Sequence, residues 1–395
     1  MIGFEEAAEL AIGLAAPLGA EPVRLDEARG RILAAPVVAR RAAPALDVAA
    51  MDGYAVREAD LGVAPVRLPV CGESFAGSGR PGELAAGACM RVFTGAPVPP
   101  GADRVVMQED VVREGEAALF GAVACGRRHL RRAGSDFAAG EVLVAAGARL
   151  NAQRLVAAAA ADLASVEVHR RPKVALLATG DELVEPGVGA RREGAIPESV
   201  SFGAGAMAEA FGGQVVSRRR CGDELAALAR AAALAAAEAD VVVVTGGASV
   251  GERDFARAMF APLGLELVFA KVAIKPGKPV WIGRAGGAIV VGLPGNPTSA
   301  LVTARLFLAP LVAGLSGDDP RAALAWRPLP LARPLEACGP RETFYRARLQ
   351  GGAAEVLGDQ DSAAQAALAA ADLLVRRRPG AQAAQAAEPV DCIPL

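Results

Sequence analysis

Lysine, histidine and aromatic residues are scarce in this 395-residue sequence, which holds two histidines and only 4% aromatic residues. A mechanism that depends on histidine is therefore not expected. The 42 basic residues are balanced by 44 acidic ones, for a net charge of −2. This balance predicts no basic surface of the kind that binds nucleic acid, and no polyacidic tail.

Six cysteines are spread along the chain without any C-x-x-C pair, which argues against a zinc site and a small disulfide framework. The N-terminus has no basic segment followed by an apolar core, so no signal peptide is expected. The long uncharged stretch at 285–304 is interrupted by the turn LPGNP, which would break a spanning helix. We therefore expect reduced thiols, no membrane segment and a cytoplasmic location.

A hydrophobic content of 53% indicates a globular protein, and the length predicts roughly two to four domains. Residues 3–46 favour helices near 5–16 and 26–35, whereas 47–140 has the short apolar runs of a β-rich domain. A helix at 150–168 begins at Asn151, a plausible N-cap. From 173 onward strands and helices alternate, which predicts a parallel sheet with crossover helices. A helix at 297–311 ends that domain, and a smaller β-rich domain follows.

Three glycine-containing turns follow strands of this predicted sheet, namely TGDE at 179–182, TGGASVG at 245–251 and GLPGNPTS at 292–299. Ligands of open parallel sheets bind at the carboxyl ends of the strands. Glycine lets the backbone approach a ligand closely, and the N–H groups that open the next helix suit a phosphate. Neither a P-loop nor a dinucleotide fingerprint is present, so we predict an anion site of another type.

The scarce lysines cluster beside these turns, because Lys271, Lys275 and Lys278 account for three of the four in the chain. Elsewhere the chain uses arginine for solvated positive charge, so the cluster predicts a site for phosphate or another oxyanion. A divalent hard cation would need oxygen ligands and often bridges to phosphate. Candidate carboxylates for it are Asp52, Asp181, Glu182, Glu198 and Asp254.

These motifs resemble the molybdopterin molybdenumtransferase family, MoeA and the gephyrin E domain, nearly from end to end. Besides the turns and lysines, the resemblance rests on LD at 46–47, MDGYAV at 51–56, FTGAPVP at 93–99 and GSD at 134–136. It implies a role in molybdenum cofactor biosynthesis. The implied reaction inserts molybdate into adenylylated molybdopterin with release of AMP, assisted by Mg²⁺.

The same resemblance implies an α/β multidomain, MoeA-like fold in an elongated homodimer. The implied domains are an elongated linking domain (1–46 plus 137–170), a β-rich lid domain (47–136), a three-layer α/β molybdopterin-binding domain with a parallel sheet (171–318) and a C-terminal β-barrel-like domain (319–395). The lid domain of one subunit is expected to face the sheet domain of the other, so that the site is shared. Molybdopterin adenylyltransferase and molybdoenzyme-maturation proteins are further implied partners.

Residue roles follow from the resemblance. The implied catalytic residues are Asp52, Thr94, Glu182, Asp254, Lys271 and Lys275. The implied substrate-binding residues are Gly246, Gly247, Ser249, Lys278, Pro294, Gly295, Asn296, Pro297, Arg341 and Ser362. The implied metal ligands are Asp254 and Glu198.

Two segments depart from the family pattern. The usual Asp-[Ser/Thr]-Asn reads Glu198-Ser199-Val200, and the usual Gly-Ser reads Asp361-Ser362. These changes leave open a catalytically altered paralogue or scaffold that binds molybdopterin without transfer. A second alternative is a molybdopterin adenylyltransferase, since that related family shares the Thr-Gly-Gly turn. The motif at 51–56 and the four-domain length argue against it.

Overall fold

A computed structural model describes residues 1–121, 127–246 and 255–395. The chain forms two compact units. The α/β unit comprises residues 1–21, 30–34 and 167–395, and the β unit comprises 22–29 and 35–166.

Short strands dominate the first 169 residues. The helices and strands are α1 (Phe4–Ile12), β1 (Ala20–Arg24), β2 (Val37–Val38), β3 (Val48–Ala49), β4 (Gly53–Val56), β5 (Val66–Ser74), β6 (Cys89–Val92), β7 (Arg104–Met107), β8 (Val111–Glu114), β9 (Ala117–Phe120), β10 (Leu130–Arg131), β11 (Val142–Val144), α2 (Ala152–Ala160) and β12 (Ser165–His169).

Strands and helices alternate through most of the remaining chain. They are β13 (Lys173–Thr179), β14 (Leu183–Val184), β15 (Ile196–Pro197), α3 (Val200–Ala210), β16 (Gln214–Cys221), α4 (Leu225–Glu238), β17 (Val241–Thr245), α5 (Phe255–Ala258), β18 (Glu266–Ala270), β19 (Ile274–Lys275), β20 (Trp281–Ala285), β21 (Ala288–Leu293), α6 (Pro297–Thr303), α7 (Ala309–Leu315), β22 (Arg327–Pro330), β23 (Glu342–Gln350), β24 (Ala353–Val356), α8 (Gln365–Ala369), β25 (Leu373–Arg377) and β26 (Pro389–Pro394).

The α/β unit is built on a six-stranded sheet with the order β16-β13-β17-β21-β20-β18. Its strands alternate between two cores, because successive side chains of a strand point to opposite faces. Val174 and Leu176 of β13 join the core that contains α1, α3, α6 and α7, whereas Ala175 and Leu177 join the core that contains α4. Helices therefore cover both faces, which gives the three layers implied by the family resemblance.

The sheet is mixed, so the prediction of a parallel sheet is wrong at one edge. The first four strands run parallel, but β20 is antiparallel to both β21 and β18. Only Gly286 and Gly287 separate β20 from β21, and both have positive φ, 58° and 89°. A two-residue connection of this kind closes a hairpin and is too short for a crossover.

A second six-stranded sheet forms the C-terminal part of the α/β unit. Its order is β19-β23-β25-β26-β22, with β24 paired to β23. The first of these strands comes from the lysine segment, because Lys275 pairs with Thr343. The sheet has its own small core around Val375 and Cys392. The lysine segment is thereby fixed to the C-terminal sheet as well as to the central one.

The β unit contains a six-stranded sheet with the order β7-β4-β6-β5-β9-β8. Gly53 begins the interior strand β4, and a Cβ at this position would lie 1.9 Å from the carbonyl oxygen of Val106. Only glycine fits this close approach of two strands. Gly53 directly follows Asp52, so the residue type required here also fixes the position of that carboxylate.

The predicted helix at 26–35 is wrong. Gly30 has a φ of 77°, which a right-handed helix does not accommodate. The chain then runs extended beside β12, where Ala34 N–H donates to the carbonyl of Glu167 and His169 N–H donates to that of Ile32. The helix predicted at 150–168 is shorter than expected and gives way to β12, but its N-cap is confirmed, because Asn151 Oδ1 accepts from Arg154 N–H at 3.0 Å.

The predicted α/β multidomain class is confirmed. The helix predicted at 297–311 is also present and extends to residue 315, with a π-helical stretch at Ala304–Leu308 between α6 and α7. This 19-residue segment, Pro297–Leu315, is long and apolar enough to cross a membrane, but 94% of its most apolar 18-residue window is buried inside the protein. Packing in the core therefore accounts for its apolar composition.

Candidate active site

A cavity of about 750 Å³ lies at the carboxyl ends of β13, β17 and β21 in the α/β unit. All three glycine-containing turns contribute to it, as expected for ligand sites of such sheets. Its polar and charged lining comprises Thr179, Glu182, Glu198, Ser199, Asp223, Thr245, Lys271, Lys278, Asn296, Ser299 and Gln365.

The first two turns contact one another directly. Thr179 Oγ1 donates to the carbonyl of Thr245 at 3.2 Å. A Cβ on Gly246, where φ is 89°, would lie 2.4 Å from the carbonyl oxygen of Thr179. The third turn also reaches this point, since a Cβ on Gly295 would lie 3.5 Å from the Cα of Gly246. The glycines thus let three backbone turns meet at the cavity floor.

The turn at residues 294–297 also contacts the C-terminal domain. Asn296 Nδ2 donates to Ser362 Oγ at 2.8 Å, and Thr298 N–H donates to the carbonyl of Ser362 at 3.2 Å. The cavity is lined by this turn, residues 294–297, and by Ala363 and Gln365, which follow Ser362 in the chain. The structure therefore brings Ser362 to the cavity rim, beside the residues predicted to bind substrate.

Two of the three clustered lysines line the cavity. Lys271 and Lys278 face each other across a backbone hairpin, in which Val272 N–H donates to the carbonyl of Lys278 and Lys271 N–H donates to that of Val280. Lys271 has a φ of 65°, a left-handed conformation that is unfavourable for a residue with a side chain. Lys275 lies on the adjacent strand β19, is exposed and does not line the cavity.

Glu182 and Glu198 are held on one rim by the short parallel pair β14 and β15. A Cβ on Gly180 would lie 2.7 Å from both carboxylate oxygens of Glu182, so this side chain folds back onto Gly180 within the first turn. Glu198 is only 6% exposed, and its carboxylate accepts from Ser201 N–H at 2.8 Å and from Ser201 Oγ at 2.5 Å. Glu198 thereby caps helix α3.

Asp181, a candidate ligand on sequence grounds, has a structural contact instead. Its Oδ1 accepts from Asp223 N–H at 3.0 Å, which ties the first turn to the loop after β16. Asp223 itself lines the cavity. The sequence analysis assigned no site role to Asp223 or Gln365, which the packing of distant segments brings to this site.

The carboxylates fit one kind of Mg²⁺ site. Within residues 1–121, 127–246 and 255–395, no three Asp, Glu, His or Cys side chains are grouped closely enough to hold a metal. Mg²⁺ is commonly held by one or two carboxylates together with substrate phosphates. Glu182 and Glu198 line the same cavity, and their carboxylates are of the type that such a shared ion uses. Gly247, Ser249 and Asp254 lie outside the described residues.

Arg341 lies beside the lysine segment but does not line the cavity. It immediately precedes β23, and its Nη1 is 3.5 Å from the carbonyl oxygen of Ile274 in β19, a long contact. Since Lys275 follows Ile274 in the same strand, Arg341 and Lys275 form a second cationic group on the C-terminal sheet, next to the lysines that line the cavity.

Asp52 and Thr94 come together in the β unit. Asp52 Oδ1 accepts from both the N–H and the Oγ1 of Thr94, each at 2.7 Å. These hydrogen bonds from Thr94 hold the pKa of Asp52 below its usual range, because they favour the charged form. Asp52 therefore presents a carboxylate, fixed in orientation, at neutral pH.

The two departures from the family pattern have local structural explanations. The longer side chain of Glu198 reaches Ser201 and caps α3, as described above. Asp361 Oδ1 accepts from Ala363 N–H at 2.8 Å, an Asx-type turn that fixes the loop before α8. Asp361 is not among the residues with positive φ, so this backbone conformation does not require glycine.

Models of three protein families match successive regions of the chain. They are the MoeA N-terminal region (domain I and II) over residues 2–161, the "Probable molybdopterin binding domain" over 175–314, and the MoeA C-terminal region (domain IV) over 328–395. The succession covers both compact units, so the match is not restricted to the sheet domain.

Full-length relatives agree with these matches. The chain is 38% identical over 303 residues to a molybdopterin molybdenumtransferase of Haemophilus influenzae, covering 76% of this chain and 74% of the relative. It is 35% identical over 370 residues to one of Synechococcus elongatus, covering 88% of each. The crystal structure of the molybdopterin biosynthesis moeA protein from Pyrococcus horikoshii OT3 matches with a TM-score of 0.83 and 27% identity over 100% of both chains. The MoeA-like fold is thereby confirmed, and the chain belongs to the molybdopterin molybdenumtransferase family.

Proposed function

We propose that this protein inserts molybdate into adenylylated molybdopterin and releases AMP, as a transferase of molybdenum cofactor biosynthesis. The observation that carries the proposal is the cavity in which Lys271 and Lys278 lie with the glycine turns and the rim carboxylates. Ammonium groups and backbone N–H groups suit a dianionic oxyanion and a phosphoanhydride. The names of the relatives support transfer over both the adenylyltransferase and the non-transferring paralogue.

Each part of the cavity has a role in this reaction. The lysines stabilise the negative charge of molybdate and of the substrate phosphates, which increases as AMP leaves. The three glycine turns and the start of α6 orient the substrate, so that the reacting groups are held close together. Ser362, through Asn296, closes the rim on the side of the C-terminal domain.

We propose that Mg²⁺ takes part. Glu182 and Glu198 would hold it together with substrate phosphate oxygens, and it would supply positive charge that stabilises cleavage of the phosphoanhydride. Removal of divalent cations with EDTA should stop AMP release, and added Mg²⁺ should restore it. Isothermal titration of Mg²⁺ into the protein with AMP should give weaker binding for Glu198→Gln than for wild type.

The reaction is tested with purified protein, adenylylated molybdopterin, molybdate and Mg²⁺. We expect AMP and active cofactor to appear, measured by chromatography and by reconstitution of a cofactor-free molybdoenzyme. Lys275→Ala should impair the reaction without unfolding the protein. Lys173→Ala, which replaces the one lysine outside the cluster, is the control and should leave the reaction rate unchanged. Absence of AMP release at saturating molybdate, with the substrate still bound, would instead favour the scaffold alternative.

We further propose a cytoplasmic homodimer in which the lid domain of one subunit completes the site of the other. The family resemblance supports the shared site. The cytoplasmic location is supported by the cysteines, which are free thiols in the described part of the chain. Light scattering should give the mass of a dimer, and cell fractionation should recover the protein in the cytoplasm. We also propose that a molybdopterin adenylyltransferase supplies the substrate and that molybdoenzyme-maturation proteins receive the product, which co-purification with each would test.

The shared site has a sharper test. Asp52→Ala and Lys271→Ala are each expected to be inactive alone, but mixed and reassociated subunits would form heterodimers with one intact site. About a quarter of wild-type activity should return if the site is shared, because half of the dimers would be mixed. No recovery after confirmed subunit exchange would place Asp52 and Lys271 in the site of one subunit.

A further inference from the structure

A stack of planar side chains with one exposed ring lies in the β unit. The rings of Phe75 and Phe93 are parallel, with centroids 4.8 Å apart and an interplanar angle of 11°. The guanidinium of Arg91 lies over the Phe93 ring at 4.9 Å and over the Tyr54 ring at 5.1 Å. We call Tyr54, Phe75, Arg91 and Phe93 the aromatic ledge. Phe75 is its exposed member, at 47%.

Backbone and side-chain hydrogen bonds hold the ledge in place. Phe93 N–H donates to the carbonyl of Ser74 at 3.3 Å, which joins the two ring-bearing segments. Ser78 Oγ donates to the carbonyl of Phe75 at 2.7 Å and accepts from its N–H at 3.2 Å. Ser74 Oγ also donates to the carbonyl of Pro97 at 2.8 Å. The exposed ring is therefore presented by a pinned turn, which lowers the entropy lost on binding.

Phe75 and Phe202 are the only exposed aromatic side chains, and the structure describes all the aromatic residues of the chain. Phe202 of the α/β unit is comparably exposed at 45%, but the guanidinium of Arg218 lies over its ring at 4.3 Å. Among the described residues, no guanidinium lies over Phe75. Packing of the β unit therefore leaves one aromatic ring accessible to a ligand.

Polar groups adjoin the ledge. Thr94 follows Phe93 directly and fixes Asp52 through the two hydrogen bonds described above. Arg91 Nη1 is 3.4 Å from the carbonyl oxygen of Gly53, the residue after Asp52. Asp52 Oδ2 makes no hydrogen bond within the part of the chain that the structure describes. An acceptor without a partner thus adjoins the stacking surface.

We propose that the aromatic ledge is a stacking platform for a planar heteroaromatic ring of the substrate, with Asp52 accepting from the amino group of that ring. This inference rests on the proposed function, because adenylylated molybdopterin carries two such rings, adenine and pterin. Both rings have a π-face and an exocyclic amino donor, which suit an aromatic surface beside a carboxylate. Loss of such a stacking side chain weakens binding about tenfold or more.

The test compares Phe75→Ala, Phe75→Leu and Phe75→Trp in the full-length protein, with Val63→Ala as the control because Val63 is a 93% exposed apolar residue of the same unit. The probes are AMP, 6-hydroxymethylpterin and inorganic pyrophosphate, measured by isothermal titration. We expect Phe75→Ala and Phe75→Leu to weaken one ring-bearing probe about tenfold. Pyrophosphate binding should not change. Phe75→Trp should keep the affinity, and its added tryptophan fluorescence should be quenched by the stacked ring.

The outcomes identify the ring. Weaker AMP binding assigns the ledge to adenine, and weaker pterin binding assigns it to the pterin. Wild-type affinity for both probes in Phe75→Ala and Phe75→Leu, with unchanged thermal unfolding, would overturn the proposal even if the enzyme inserts molybdate. Conversely, weakened ring binding in a protein that releases no AMP would retain the ledge and reject the proposed reaction.

Discussion

The amide of Asn296 donates to the hydroxyl of Ser362 at 2.8 Å, joining residues that are 66 positions apart in the sequence. The bond connects the start of α6 to the loop that carries Ala363 and Gln365, two residues that line the cavity. Together with the Thr298 N–H bond to the carbonyl of Ser362, this side-chain contact couples the sheet domain to the C-terminal domain at the rim of the site.

We expect Asn296→Ala and Ser362→Ala each to lower kcat/KM for adenylylated molybdopterin, and the double variant to be little worse than either single one. A hydrogen bond between two such partners is worth about 1 kcal/mol, so the coupling energy in a double-mutant cycle should have that size. Ser165→Ala, at an exposed serine of β12, is the control and should not change activity. Strictly additive effects would show that the two side chains act independently.

Because Lys271 has a left-handed backbone conformation, one substitution can test the role of its charge without lowering the stability of the protein. Lys271→Gly relieves an unfavourable conformation that costs about 1–2 kcal/mol, so the free energy of unfolding should not fall. The same change removes an ammonium group from the cavity, and KM for molybdate should rise at least about tenfold, since a charged hydrogen bond is worth about 1.5–3 kcal/mol. Urea unfolding and steady-state kinetics measure the two quantities. A variant that is stable and binds molybdate normally would remove Lys271 from the site.

Two glutamates accept hydrogen bonds from the N-terminal N–H groups of helices, Glu224 as the N-cap of α4 and Glu198 from the position before the N-cap of α3. Glu198 caps α3 through Ser201 at the cavity, whereas Glu224 caps α4 through the N–H groups of Ala226 and Ala227, each at 3.0 Å, and does not line the cavity. Replacing either by Ala should lower the free energy of unfolding by about 1 kcal/mol. Only Glu198→Ala should also lower the rate of AMP release. Equal kinetics in the two variants would limit Glu198 to a structural role.

Glu198→Asp tests the departure from the family pattern directly. The shorter side chain restores the usual carboxylate but retracts it from Ser201, so we expect a less stable α3 in circular dichroism melts. A faster cofactor transfer in this variant would mean that the extra methylene slows the natural enzyme, and an unchanged rate would mean that the departure is neutral.

The local motifs of the site could be predicted from the sequence, but their surroundings could not. Glycine turns after strands and a lysine cluster are encoded within a few residues, and the structure brings Lys271, Lys278, Asn296 and Ser362 to one cavity. The sequence analysis assigned no site role to Asp223 or Gln365, and their presence there depends on the packing of distant segments.

The two errors in the predicted fold have different origins. Residues 26–35 have a composition that favours a helix, but pairing of residues 32–34 with β12 overrides that local preference. The antiparallel edge of the sheet is encoded locally, in the turn Gly286-Gly287. The alternation of strands and helices in the rest of this region led to the prediction of a wholly parallel sheet. Local composition therefore predicts elements well where no distant strand competes for the backbone.

Hydrogen bonds from Thr94 lower the pKa of Asp52, so removing the donor should reverse the shift. In Thr94→Val, the Oγ1 donor is lost and the pKa of Asp52 should rise toward its ordinary value. Because the pKa is lowered in the folded protein, this contribution to stability is present above the ordinary pKa and is lost as the pH falls through the lowered one. Carbon-13 NMR titration of the Asp carboxyl groups measures the change. Asp26, whose pKa is lowered by Arg24 in the same unit, is the internal control and should not move.

Gly246 allows a sharp test of the contact between the first two turns. Gly246→Ala adds a Cβ 2.4 Å from the carbonyl oxygen of Thr179 at a φ of 89°, so both overlap and backbone strain oppose it. Gly264 has a φ of 69° with nothing within 4 Å of its Cβ position, and Gly264→Ala therefore reports the strain alone. We expect about 1–2 kcal/mol of destabilisation at Gly264 and clearly more at Gly246. Gly246→Ala should also weaken AMP binding, because relieving the overlap must separate two turns that form the cavity floor. Equal destabilisation at the two positions, with normal AMP binding, would mean that this close approach is not needed for the site.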